Sequence, residues 1–116
     1  MNDNRLEDVL KKIIVLDGDV LSLIGEYHKK AEFDDREFLI VLTLSDIRKV
    51  LAKFVDGQIG KIELYQWADI LELNEYVDYE EGKENEIASL LFQLASPEIN
   101  GEITIDSCVE MLNKIS

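Results

Sequence analysis

Residues that support covalent cross-linking, metal binding and nucleic-acid binding are scarce in this 116-residue chain. It has one cysteine, one histidine and one proline, and only 12 lysines and arginines against 25 aspartates and glutamates. A single cysteine excludes an internal disulfide. With one histidine, it also excludes a zinc site made of cysteine and histidine alone. The net charge of −13 argues against binding to nucleic acids or anionic membranes, both of which require clustered basic residues.

Long apolar runs are missing as well. The longest, residues 38–42, is too short to span a bilayer, and the first, residues 13–16, is too short for the core of a signal peptide. We therefore expect a cytoplasmic protein with no membrane partner. The hydrophobic content of 47% is nevertheless too high for a disordered acidic tail. Residues 1–116 are expected to form a single domain.

Apolar residues recur at helical spacing in most of the chain. Five segments repeat offsets of three, four and seven residues, namely 6–14, 47–55, 64–71, 87–95 and 108–115. A further helix is predicted over residues 20–31, although the preceding Asp17-Gly18 is also typical of a hairpin turn. The sequence thus predicts an all-α fold, an irregular bundle of six or seven short helices.

Helix boundaries can be predicted from capping residues. Asp56-Gly57 is expected to end one helix, and Pro97 is expected to close another that begins near Glu80. Helix N-caps are predicted at Asp34, Ser45, Gly60 and Thr104.

Residues 55–60 and 99–104 resemble each other and the second half of an EF-hand calcium loop. In the first loop, however, Ala52 and Phe54 would occupy positions that need oxygen ligands, and in the second Ser107 would replace the bidentate glutamate. A helix end followed by a helix start accounts for the same residues. We predict no metal site and no cofactor.

An acidic segment is the most informative feature. Residues 69–86 hold eight acids and a single lysine. Acids complement the dipole at a helix start, but here they also continue through the predicted end of a helix, where they cost stability. Aromatic residues beside acids suit an interface with a basic protein. The predicted contact set is Asp69, Glu72, Glu75, Asp78, Glu80, Glu81 and Glu84, with Tyr76 and Tyr79 as aromatic anchors.

Catalytic motifs are not recognisable. The sequence has no His-Glu-x-x-His pair and no glycine-rich phosphate loop. Acid–base chemistry by two carboxylates stays open, but no pattern favours it, and we predict no catalytic residues. Trp67 and Cys108 share the apolar stripes of their helices and are predicted to be buried.

From Thr43 onward, the chain resembles small acidic bacterial immunity proteins, which inhibit the toxins of contact-dependent growth inhibition and colicin-type systems. Residues 1–42 lie outside this resemblance. It is carried by residues 44–47, Gly57-Gln58-Ile59, Glu63-Leu64, Trp67-Ala68-Asp69-Ile70-Leu71-Glu72, Ile87, residues 91–98 and Gly101-Glu102-Ile103-Thr104.

The resemblance implies a non-catalytic protein that binds the C-terminal domain of a cognate toxin, often a nuclease, in a 1:1 complex. A nuclease must be basic to hold its substrate, and an acidic surface can imitate the phosphate backbone. The alternative is an EF-hand-like or other regulatory helical adaptor that binds a peptide or a metal.

Overall fold

Seven helices and two short strands make up residues 6–31 and 40–115, the part of the chain that the computed structural model describes. The helices are α1 (Leu6–Val15), α2 (Val20–Ala31), α3 (Leu44–Val55), α4 (Lys61–Leu71), α5 (Glu84–Ala95), α6 (Pro97–Asn100) and α7 (Ile105–Ile115). The strands are β1 (Ile40–Leu42) and β2 (Val77–Tyr79). The predicted bundle of six or seven helices is confirmed, including the helix after Asp17-Gly18. None of the described helices has the length and apolarity that a bilayer crossing requires.

The two strands form a small parallel sheet that the sequence analysis did not predict. Ile40 pairs with Val77 and Leu42 with Tyr79. Parallel strands need a long crossover connection, and here α3 and α4 supply it. Strands of three residues are too short to show an alternating pattern, which is why they escaped prediction. The sheet brings the middle of the acidic segment beside the start of α3.

Helix α4 lies at the centre of the core and packs against α1, α2, α3 and α5. Its Trp67 is fully buried, as predicted, and the indole Nε1 donates a hydrogen bond to the backbone oxygen of Ile14 at 3.3 Å. Cys108 on α7 is also buried, as predicted, and this burial raises the pKa of its thiol. The apolar face of α4 is thus fixed by its neighbours on several sides.

Two predicted helix boundaries are wrong. The N-cap of α3 is Thr43 rather than Ser45: Thr43 Oγ1 accepts a hydrogen bond from the Asp46 N–H at 3.1 Å, and Asp46 Oδ2 accepts one from the Thr43 N–H at 3.0 Å. Helix α5 begins at Glu84 rather than near Glu80, because β2 and a turn precede it. Pro97 follows the end of α5, as predicted, and starts the short α6.

The predicted caps at Gly60 and Thr104 are confirmed. The Gly60 N–H donates to Glu63 Oε1 at 2.7 Å, and Thr104 Oγ1 accepts from the Ser107 N–H at 3.0 Å. The two similar loops therefore join α3 to α4 and α6 to α7 as a helix end followed by a helix start. The predicted cap at Asp34 lies outside the described residues.

Candidate interaction surface

The acidic segment, residues 69–86, runs from the last turn of α4 to the first turn of α5. Between these helices it contains the α4–β2 loop (residues 72–76), strand β2 and a turn over residues 80–83. Its predicted contact carboxylates are either exposed or half-buried. The exposed ones are Asp69, Glu75, Asp78, Glu81 and Glu84, and the half-buried ones are Glu72 and Glu80.

Three of these carboxylates stabilise the backbone. Glu80 Oε1 accepts a hydrogen bond from the Leu44 N–H at 3.0 Å and so satisfies a free donor at the start of α3. Glu84 Oε1 accepts from the Gly82 N–H at 3.0 Å, and Asp78 Oδ1 accepts from the N–H of the next residue at 3.1 Å. Glu80 therefore has a structural role in addition to its predicted role in binding.

The other four carboxylates, Asp69, Glu72, Glu75 and Glu81, form no ion pair within the described part of the chain. The Nζ of Lys83, the segment's single lysine, lies 3.9 Å from Glu86 Oε1, and Lys83 forms no ion pair with any of these four carboxylates. Among the described residues, no basic side chain balances the charge of these four carboxylates. A cationic partner would meet carboxylates that need not first break an internal ion pair.

The predicted anchors Tyr76 and Tyr79 are both half-buried and pack against the core. Burial raises the pKa of Tyr79, a hydrogen bond with the backbone of Leu73 lowers it, and the nearby negative charge of Glu72 raises it. Part of the apolar surface of both tyrosines is thus buried in the protein, and their packing helps to hold the α4–β2 loop.

Leu73 is the feature of this surface that the sequence analysis missed. It lies between Glu72 and Asn74, it is 91% exposed, and its backbone φ is +55°. The available signal was its phase, because Leu73 falls outside the apolar stripe that Leu64, Trp67, Ala68 and Leu71 form on α4. A leucine that is out of phase within an acidic segment is not needed by the core.

Hydrogen bonds hold the α4–β2 loop in place. The Asn74 side-chain Nδ2 donates to the backbone oxygen of Ile70 at 2.8 Å and to the Tyr27 hydroxyl at 3.2 Å. Its Oδ1 accepts from the Tyr76 N–H at 2.9 Å. The loop is thereby tied both to the last turn of α4 and to α2, so Leu73 projects from a fixed support.

A cleft of about 330 Å³ between α5 and α7 includes Glu86 of the acidic segment in its wall. Two others among the described residues lie away from this segment. One, of about 460 Å³, lies between α1 and β1 and includes Glu7 and Lys11 in its walls. The other, of about 260 Å³, is mostly apolar and is crossed by an ion pair between Lys61 and Glu102, 2.7 Å long. The hydrogen bond from Lys61 lowers the pKa of Glu102. Neither cleft is lined by the acidic segment.

Nowhere in residues 6–31 and 40–115 do three or more histidines, cysteines or acids come together in a way that could hold a metal ion. Comparisons with known protein families, with curated proteins and with solved structures found no match for this chain. Functional proposals for this protein therefore rest on the chemistry of its surface.

Proposed function

We propose that this protein is an immunity protein that binds a cognate cationic toxin domain, a nuclease, and neutralises it by covering it. The toxin belongs to a contact-dependent growth inhibition or bacteriocin system, and the complex is a 1:1 complex in the cytoplasm of the producing cell. The observation that carries the proposal is the group of carboxylates between α4 and α5 that lack basic partners in the described part of the chain.

The electrostatic argument starts from the substrate of a nuclease. An enzyme that binds a phosphate backbone needs a surface rich in lysine and arginine. A surface with the opposite charge attracts such an enzyme over a range of roughly one Debye length, about 8 Å at physiological salt. It thereby raises the association rate and disfavours acidic partners. Fast association is useful when an unbound toxin is lethal.

The energetic argument concerns the end of α4. A helix C-terminus carries a partial negative charge and is stabilised by basic residues. The last turn of α4 has no basic residue, and its C-cap is Glu72. Asp69 and Glu75 add further negative charge near this end. These acids do not stabilise the end of the helix, but they favour binding to a basic protein.

The predicted contact residues contribute in different ways. Asp69, Glu72, Glu75 and Glu81 supply carboxylates that hydrogen bonds and ion pairs within the described residues leave uncommitted. A second group, Asp78, Glu80 and Glu84, holds the backbone with one oxygen each and adds to the negative potential. Tyr76 and Tyr79 pack under the loop and offer their remaining surface to the partner.

Co-expression tests the function directly. The probe is the C-terminal domain of the protein encoded immediately upstream of this gene, because immunity genes normally follow their toxin genes. We expect this domain alone to stop bacterial growth, and co-expression with this protein to restore growth. The two proteins should elute together at an equimolar ratio. Continued toxicity despite a soluble immunity protein would contradict the proposal.

Charge reversal tests the acidic segment. We predict that Glu72→Lys, Glu75→Lys and Asp78→Lys together slow association with the toxin domain by about tenfold or more at low salt. They should also flatten the dependence of the association rate on salt. Stopped-flow mixing over a range of salt concentrations measures both effects.

A matched variant separates the position of the charge from its amount. Asp56→Lys, Glu98→Lys and Glu110→Lys change the net charge equally, but these exposed acids lie at the C-cap of α3, on α6 and on α7. We expect this control variant to keep most of the fast association. Equal slowing by both triple variants would show that net charge alone matters and would remove the acidic segment from the proposal.

A further inference from the structure

Leu73 has two properties that do not stabilise the folded protein. Its side chain is 91% exposed, and its backbone has a φ of +55°. For an L-residue other than glycine, this left-handed conformation costs roughly 1–2 kcal/mol. An exposed leucine on a protein surface is ordinary by itself. An exposed leucine held in a strained conformation, within an acidic segment, calls for a cause outside the fold.

At the other described positions with positive φ, the energetic cost of the left-handed backbone is either absent or offset. At four of these positions the chain uses glycine, which bears no strain there. The other non-glycine residue with positive φ among those described is Leu16, with φ of +51°, and it is only 6% exposed. Burial of the Leu16 side chain offsets the backbone strain. Leu73 has no such compensation within the protein.

The support beneath Leu73 is rigid. The next residue, Asn74, is anchored to Ile70, Tyr27 and Tyr76 by hydrogen bonds. A side chain presented on a preorganised backbone loses less entropy on binding than one on a loose loop. The geometry therefore suits an interface residue whose position is fixed before the partner arrives.

We propose that Leu73 is the central apolar contact of the acidic surface and that it inserts into an apolar pocket rimmed by lysine or arginine on the cationic toxin domain. This inference rests on the proposed function, and it further specifies that the partner has an apolar pocket. Charge complementarity selects that occupant, because Glu72 directly precedes Leu73, Glu75 follows it by two residues, and neither acid forms an ion pair in the described part of the chain. In such a complex, the contacts around Leu73 would exclude water from it, as the contacts around an interface hot spot do.

Two substitutions separate binding from folding. Leu73→Ala removes the apolar contact and keeps the Cβ, so the backbone strain is unchanged. Leu73→Gly removes both the contact and the strain. We expect each variant to dissociate from the toxin domain about 30-fold faster or more, which is the range of interface hot spots. We also expect Leu73→Gly to melt at a temperature equal to or above that of the wild type.

Surface plasmon resonance with the upstream-encoded toxin domain measures the dissociation rates, and thermal unfolding followed by circular dichroism measures stability. The control is Ile62→Ala, because Ile62 is 67% exposed and lies at the opposite end of α4. We expect this control to dissociate like the wild type.

The outcomes distinguish this inference from the proposed function. If the wild type binds the toxin domain but Leu73→Ala dissociates no faster than Ile62→Ala, the role of Leu73 is refuted and the immunity function stands. If the wild type does not bind, the proposed function and the role of Leu73 both fall. A loss of binding by Leu73→Gly accompanied by a lower melting temperature would assign Leu73 to folding instead.

Discussion

Helices α1 and α4 are each followed by a leucine with a left-handed backbone, but the two leucines lie in opposite surroundings. Beyond the last residue of α1, Leu16 is left-handed and buried, and the Lys53 ammonium donates hydrogen bonds to the backbone oxygens of Val15 and Leu16 at 3.1 and 3.2 Å. Beyond the end of α4, Leu73 is left-handed and exposed, and the C-cap is Glu72. The end of α1 thus has a basic residue beside it, and its leucine lies in an apolar environment. The end of α4 has no basic residue in its last turn, and its leucine is exposed to solvent.

This difference indicates which helix end serves the fold. Basic side chains at a helix C-terminus and buried leucines both stabilise the folded state. The end of α1 has the features expected of a structural joint. The end of α4 carries acids where bases are favoured, and its left-handed leucine is exposed rather than buried. The same chain can build the favourable arrangement, so its absence at α4 supports a role in binding.

The largest expected effect comes from truncating the two leucines. We predict that Leu16→Ala lowers the free energy of unfolding by about 2–3 kcal/mol, because it leaves a cavity in the core. Leu73→Ala should change it by less than about 0.5 kcal/mol. Alanine retains the Cβ, so the backbone strain is the same in each variant and its parent. Urea unfolding measures both values, and similar losses would remove the contrast.

A smaller effect is expected from the lysine at the end of α1. Lys53→Met keeps most of the apolar stem but removes the two hydrogen bonds to backbone oxygens. We predict a loss of about 1 kcal/mol of unfolding free energy. Lys49→Met is the control, because Lys49 is an exposed lysine on the same helix and makes no hydrogen bond or ion pair with the described residues. Equal losses in both variants would show that the contacts of Lys53 contribute nothing specific.

The smallest effect is expected from the charge at the end of α4. We predict that Glu72→Gln raises the free energy of unfolding by about 0.3–0.5 kcal/mol, because it removes a negative charge from the negative end of a helix dipole. The gain should shrink as salt is added, since salt screens this interaction. Glu110→Gln, in the middle of α7, should give no comparable gain. A destabilised Glu72→Gln variant would mean that the carboxylate supports the fold.

The sequence predicts the helices well because their apolar stripes are long. The stripe containing Trp67 repeats over more than two turns, and this length places α4 in the core without further information. The parallel sheet could not be predicted in this way, because each strand has only three residues. The start of α3 was misplaced at Ser45 because Thr43 and Ser45 are both good N-caps, and the choice depends on the local backbone.

The sequence predicts the acidic segment as a charged surface. It does not show which of its carboxylates bind the backbone and which form no ion pair. The contact between Glu80 and Leu44 joins residues 36 positions apart, so sequence neighbours give no sign of it. The exposure of Leu73 follows from its helical phase, but its left-handed backbone depends on where α4 ends and on the hydrogen bonds of Asn74. These features arise from tertiary structure, which a single sequence pattern does not encode.

The parallel pairing of β1 and β2 also has a consequence for the order of folding. The strands cannot pair until the intervening chain, including α3 and α4, has been synthesised and has brought its two ends together. The contact between Glu80 and the start of α3 forms at the same stage. Folding steps that depend on such distant contacts are slower than the formation of local helices. We therefore expect the acidic surface to take its final shape late, so that a nascent chain lacking β2 would bind the proposed toxin partner poorly.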